Sequence, residues 1–270
     1  MNNTFNLTRF GKLLKKTLLE RPMHTFGFTG LMLVISLLLY FVIKTFSHLG
    51  MAPHIGMAQT ITFFGGLIGG SFFLASFVFG YFSSNASGSS FLTLPASTFE
   101  KWLCAILITG VLYPLIFLIF YRIMDSSFVA IYHNSLDTAS PFYKEQYERV
   151  YNFDLNGIIA RNIYVMFFIY TGAMLLGSLY FNKAAVIKVA LVLCAIFIFT
   201  FGLNWLMAIG LFGSIEDAAP FNHVAIRAGK EIGSLELPSR VGKIFLYAIV
   251  FVFPTILWLL SFTRLREKEF

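Results

Sequence analysis

Charge is what this sequence has least of: Asp, Glu, Lys and Arg make up 12% of its 270 residues, against 57% apolar. A soluble domain carries about 25% charged residues, because its surface has to be wetted. A chain so poor in charge, with a mean hydropathy of +0.76, lacks the polar groups to cover itself, so much of its surface must face lipid. Linkers are missing as well. No Pro/Gly/Ser stretch of useful length divides the chain, and residues 1–270 read as a single membrane domain. Cysteine is nearly absent. Cys104 and Cys194 both sit inside apolar runs, where buried packing is expected and not a disulfide or redox pair.

The motifs of powered or metal-assisted chemistry are absent too. There is no HExxH, and the Gly-Lys pairs at 11–12, 229–230 and 242–243 lack the rest of a phosphate-binding loop. No metal-ligand spacing emerges from the charged stretch 213–243. The reading therefore assigns no catalytic residue, metal, cofactor or nucleic-acid partner. Any ATP hydrolysis would belong to another polypeptide. The hydrophobic interiors hold no Asp, Glu or Arg, whereas an ion-coupled carrier needs an intramembrane ionisable group.

What the chain has is long apolar runs, loaded with 33 Phe. A spanning helix needs about 20 apolar residues, because unpaired backbone groups in hydrocarbon cost several kcal/mol each. Six segments qualify, at about 26–43, 57–82, 103–121, 163–181, 184–212 and 244–262. The first reads as a retained span and not as a cleaved signal, being 18 residues long with no small-residue cleavage pattern behind it. The expected fold is thus an all-α integral membrane protein with six transmembrane helices.

Lys and Arg near the span ends vote on orientation. With the N-terminus inside, 11 of the 20 lie on inner segments, and nine of the 13 acids lie outside. Both termini are therefore expected in the cytoplasm. Ahead of the first span, residues 5–20 form an amphipathic pattern: Phe10, Leu13, Leu14 and Leu18 share a stripe that Lys12, Lys15 and Lys16 avoid. Such a helix lies in the interface as a membrane anchor, or serves as an elbow against a cytoplasmic partner.

The stretch 83–102, SSNASGSSFLTLPASTFEKW, is the most informative outside the spans. Ser97 and Glu100 have capping-box spacing, in which each side chain bonds the other's backbone amide. Phe91, Leu92 and Leu94 would be exposed apolar residues on a loop stiffened by Pro95, with Phe99 and Lys101 leading into the third span. Exposed apolar groups there need a partner or a membrane surface to cover them. In the second span, Gly65, Gly66, Gly69 and Gly70 form two overlapping GxxxG pairs. These allow close helix approach, within the chain or between copies. Thr200 and Asn204 are the most polar positions of the fifth span, as interhelical glue or as part of a substrate path. Residues 122–162 form a Tyr-rich outer segment read as an ordered cap.

An amphipathic N-terminal helix, six spans, a cytoplasmic loop between spans two and three, and an outer element before span six make a plan that resembles the membrane subunit of ABC-2 type exporters. The string LTLPASTFEKW is similar to an "LPAS…EK" segment of ABC-2-like permeases from Bacteroidetes. The resemblance implies a homodimer or pseudo-dimer in the bacterial inner membrane, with a separate P-loop ATPase subunit. It makes 5–20 the connecting helix and 83–101 the coupling element. It matches the segment after Trp205 and through 213–243 to the outer re-entrant helices before the last span. The long 122–162 segment departs from the usual short connection.

Two readings of function stand at this point. In the first, the chain is an ATP-driven permease for an apolar or amphipathic substrate. In the second, it is a non-transporting sensor, assembly factor or scaffold that uses its outer cap. An intramembrane enzyme has no nominated nucleophile or acid/base pair.

Overall fold

The computed structural model describes residues 5–20, 22, 26–46, 55–83, 85–181, 183–213, 215–220, 223–228, 231–236 and 238–268. Five helices in it are long and apolar enough to cross a bilayer: Ile55–Val78 (α3), Thr98–Asn134 (α5), Ile158–Tyr180 (α7), Ala185–Phe212 (α8) and Arg240–Glu267 (α9). They mark an integral membrane protein. The remaining helices are Leu7–Glu20 (α1), Phe28–Phe46 (α2), Asn85–Leu92 (α4) and Tyr143–Arg149 (α6).

Each predicted span coincides with a helix, and the third departs furthest from its expected limits. Predicted to end near Tyr121, it continues to Asn134 over 37 residues. At 1.5 Å per residue that is about 55 Å, longer than a bilayer with its headgroups (about 40–45 Å). The first part of the outer segment is therefore a helical extension of a span. The short helix α6 and the extended residues 150–153 then return towards the bundle.

The chain is predominantly helical, as expected, with one departure between α8 and α9. Three antiparallel strands, Ile215–Ala219 (β1), His223–Ala228 (β2) and Glu231–Glu236 (β3), form a sheet in the order β1-β2-β3. In the β2–β3 register Val224 faces Leu235 and Ala228 faces Glu231. The stretch expected to hold re-entrant helices pairs its backbone groups between strands instead.

Between helices in lipid, apolar contact gains little over contact with acyl chains, so packing rests on close fit and polar links. The glycines of α3 supply the fit. A Cβ on Gly70 would lie 1.6 Å from the Tyr113 hydroxyl, and one on Gly66 2.3 Å from the Phe117 ring. The Tyr113 hydroxyl also donates to the Gly66 carbonyl at 2.6 Å. Gly66 and Gly70 thus pack within the chain, while a Cβ on Gly65 or Gly69 would meet nothing within 4 Å. Thr171 donates to Ser71 at 3.0 Å, linking α7 to α3 with both residues fully buried. Gly66 lies within a wider π-type turn, Gly65–Gly69, and Tyr113 directly follows another, Leu107–Leu112; a third lies at Ala248–Val252.

The core lies among α1, α3, α5 and α7, while α8 and α9 are exposed along most of their length. Cys104 is buried as expected; Cys194, on α8, is exposed.

Candidate functional site

One end of the bundle gathers the N-terminal helix, the 85–101 segment and the C-terminal end of α9. Phe99 meets Phe5 at 6.1 Å and Phe262 at 6.3 Å between ring centroids. Lys268 lies over the Phe82 ring at 4.5 Å, and Arg264 over Tyr180 at 4.3 Å. The apolar stripe of α1 forms as its spacing predicts, with Phe10 and Leu13 buried and Leu14 and Leu18 half-buried. It packs into the chain's own core, and Lys12, Lys15 and Lys16 remain exposed.

Glu100 is the centre of this end. The capping box forms: the Glu100 amide donates to Ser97 Oγ at 3.2 Å, and the Ser97 amide donates to Glu100 Oε2 at 2.9 Å. The carboxylate does more than cap. Arg9 reaches it with two prongs, Nε to Oε2 and a terminal nitrogen to Oε1, each at 2.7 Å. The Asn6 amide donates to Oε1 at 2.8 Å. Glu100 stands in the first turn of α5, ahead of the apolar run that starts at Leu103. Burial alone would raise its pKa, but the Arg9 guanidinium and the Asn6 and Ser97 amides outweigh burial and hold it at about 2. Lys101 is buried beside it and donates to the Leu92 carbonyl at 2.9 Å. Trp102 donates to Ser261 at 2.9 Å, tying α5 to α9.

The loop differs from expectation at its apolar residues. Phe91 is buried, stacked on Tyr81 at 4.8 Å, and Leu92 and Leu94 are half-buried against the core. They fix the loop from beneath. The groups left outside are Thr93, Pro95 and Phe99, with Leu7 of α1 and Phe5 just before it. A coupling surface would be built from these.

The opposite end has a second buried carboxylate, which the sequence reading placed outside the membrane. Asp125, on the extension of α5, is fully buried. Its Oδ1 accepts from Gln59 at 2.8 Å and from the Tyr40 hydroxyl at 3.2 Å, and its Oδ2 accepts from the Phe153 amide at 2.7 Å. Gln59 also donates to the Tyr151 carbonyl at 3.0 Å, and Arg122 to the Phe153 carbonyl at 3.2 Å. His133 and the Val150 carbonyl stand 2.9 Å apart. One carboxylate thus joins α2, α3, α5 and the returning chain. Gln59 gave the available signal, an amide inside an apolar run that needs a partner.

Asn204 donates to the Ala218 carbonyl of β1 at 3.0 Å and holds the sheet to α8. Thr200, one turn earlier, is half-buried. Among the described residues no cluster of His, Cys, Asp and Glu has metal-site geometry. Compared with known proteins, the chain matches no family model, no curated protein and no solved structure.

Proposed function

We propose that this chain is the membrane-spanning subunit of an ATP-driven, ABC-2-like exporter, working in a bacterial inner membrane as a dimer with separate ATPase subunits. The substrate is apolar or amphipathic. The observation that carries this reading is the fourfold engagement of Glu100 by Arg9, Asn6 and Ser97. It joins α1 and the 85–101 segment into one unit at the basic end, continuous with a helix that reaches the far end. A force applied by a cytoplasmic ATPase to Pro95 and Phe99 would enter α5 directly.

Parity supports six crossings. α1 and the end of α9 share one face of the bundle through Phe99 and its two ring partners. Five crossings would separate them. The sixth is α2, 19 residues long, which runs antiparallel to α3 from Phe28 beside Phe73 and Phe77 to Tyr40 beside Asp125. The basic end is then cytoplasmic, with Arg9, Lys12, Lys15, Lys16, Lys183 and Lys188.

The competing reading, a non-transporting sensor or scaffold, draws support from the Asp125 network, which builds a fixed outer cap. Purification in mild detergent from the native membrane separates the two. A P-loop ATPase in stoichiometric yield, lost with Phe99→Asp or Pro95→Asp, supports the permease. Recovery of the chain alone, under conditions that keep known complexes whole, overturns it.

A further inference from the structure

A cleft of about 800 Å³ opens beside the Asp125 network, between the first two turns of α3 and residues 149–159. Its size falls within the range of ligand sites, about 300–1,000 Å³. Asp125 shapes it from behind. The same carboxylate that fixes Gln59 in the floor holds the Phe153 amide in the wall.

Gln59 carries the chemical argument. It is 95% buried, being 5% exposed, and it lines the cleft. Its amide nitrogen faces two acceptors, Asp125 Oδ1 and the Tyr151 carbonyl, which fixes the orientation of the amide. Its Oε1 accepts no hydrogen bond among the described residues. That oxygen is open to the cleft and available to accept a donor from an occupant.

Two charges share the lining. Among the described residues Arg149 has only an exposed pair with Glu145 at 3.1 Å, an arrangement that solvent screens and a ligand readily exchanges. Asp154 uses Oδ1 on the Asn156 amide at 2.9 Å and has no cation within ion-pair distance among the described residues. One cation and one anion match a zwitterion. The rim is apolar: Ile61, Ile158 and Ile159 are exposed. Tyr121, which bonds the Gln59 carbonyl, marks the end of the apolar run of α5. The polar lining therefore lies at headgroup depth and the rim faces acyl chains.

We propose that this cleft binds a zwitterionic phospholipid bearing a primary ammonium group. The ammonium donates to Gln59 Oε1 and Asp154, the phosphate pairs with Arg149, and the acyl chains leave over Ile61, Ile158 and Ile159. The assignment holds whether or not the chain transports anything.

The test is native mass spectrometry of the delipidated full chain, titrated separately with phosphatidylethanolamine, phosphatidylcholine, phosphatidylglycerol and water-soluble glycerophosphoethanolamine. Phosphatidylethanolamine binds best, because the quaternary ammonium of phosphatidylcholine has no N–H to donate and phosphatidylglycerol has no cation. Arg149→Gln and Asp154→Asn each weaken it by about tenfold, the loss of one charge-assisted contact. Glu145→Gln, which releases Arg149 from its surface pair, leaves binding intact or tighter. These variants alter exposed residues, so the fold survives them. Equal binding of the three lipids, or no response to Arg149→Gln and Asp154→Asn, overturns the site. Equal affinity for glycerophosphoethanolamine overturns the lipid assignment in favour of a soluble headgroup ligand.

Discussion

Arg9 and Glu100 stand 91 residues apart in sequence and meet in a two-pronged ion pair, both contacts 2.7 Å long. Glu100 is fully buried, whereas 29% of the Arg9 side chain is exposed. Removing the cation therefore leaves a carboxylate in a dry site with only amides for company. Arg9→Ala should destabilise the chain, by less than the loss of a fully buried pair because Arg9 is partly wet and solvent screens it. Arg9→Lys keeps the charge and loses the fork, so it should cost less. Thermal unfolding in detergent, with Glu100→Gln completing a double-mutant cycle, reads the coupling.

The same pair sets an acid limit. A carboxyl held at about 2 in the fold, against an ordinary 4.5, contributes stability that is complete above 4.5 and fades as pH falls towards 2. Amide exchange of residues 7–20, referenced to the intrinsic rate at each pH, should show unchanged protection from neutral pH down to about 5. Protection should drop only below that. Loss of protection on crossing pH 6 would contradict the arrangement.

Gly70 and Gly69 make a matched pair of controls. Gly70→Ala drives a methyl into Tyr113 and should destabilise by about 1–3 kcal/mol through overpacking. Gly69→Ala meets open space, so it should change stability by less than about 0.5 kcal/mol in the folded chain. Equal melting shifts for the two would show that α3 packs otherwise.

Asp125→Asn tests the network at the far end of α5. Both carboxylate oxygens accept from donors, so an amide must turn its NH2 towards one of them. The loss should be about 2 kcal/mol, from one broken charge-assisted bond and one unpaired donor. Faster amide exchange at residues 150–153 should accompany it, with α1 unaffected.

The helical frame was legible because lipid imposes a simple rule, and six apolar runs obey it. Ser97 and Glu100 were legible as a capping box because both partners lie within one turn. Arg9 was not, since nothing local links residue 9 to residue 100. Asp125 was missed for a different reason. Hydropathy falls after Tyr121 while the helix continues, so a buried carboxylate passed for a loop residue. The strands had left a trace: Val224, Ile226 and Ile232 alternate with smaller or polar residues on either side of Gly229-Lys230, a two-residue hairpin spacing. Asn204 bonds a backbone carbonyl on a strand, a partner that no inspection of α8 could name.

Glu100 and Asp125 are carried on one unbroken helix, α5, 25 residues apart, which is about 38 Å of axial rise. Each is fastened to a different surface of the molecule. If a ligand at the basic end changes affinity at the far end, a ligand at the far end must change affinity at the basic end by the same factor, because linkage runs both ways. The sign can be measured from either side of the membrane, and the two measurements have to agree.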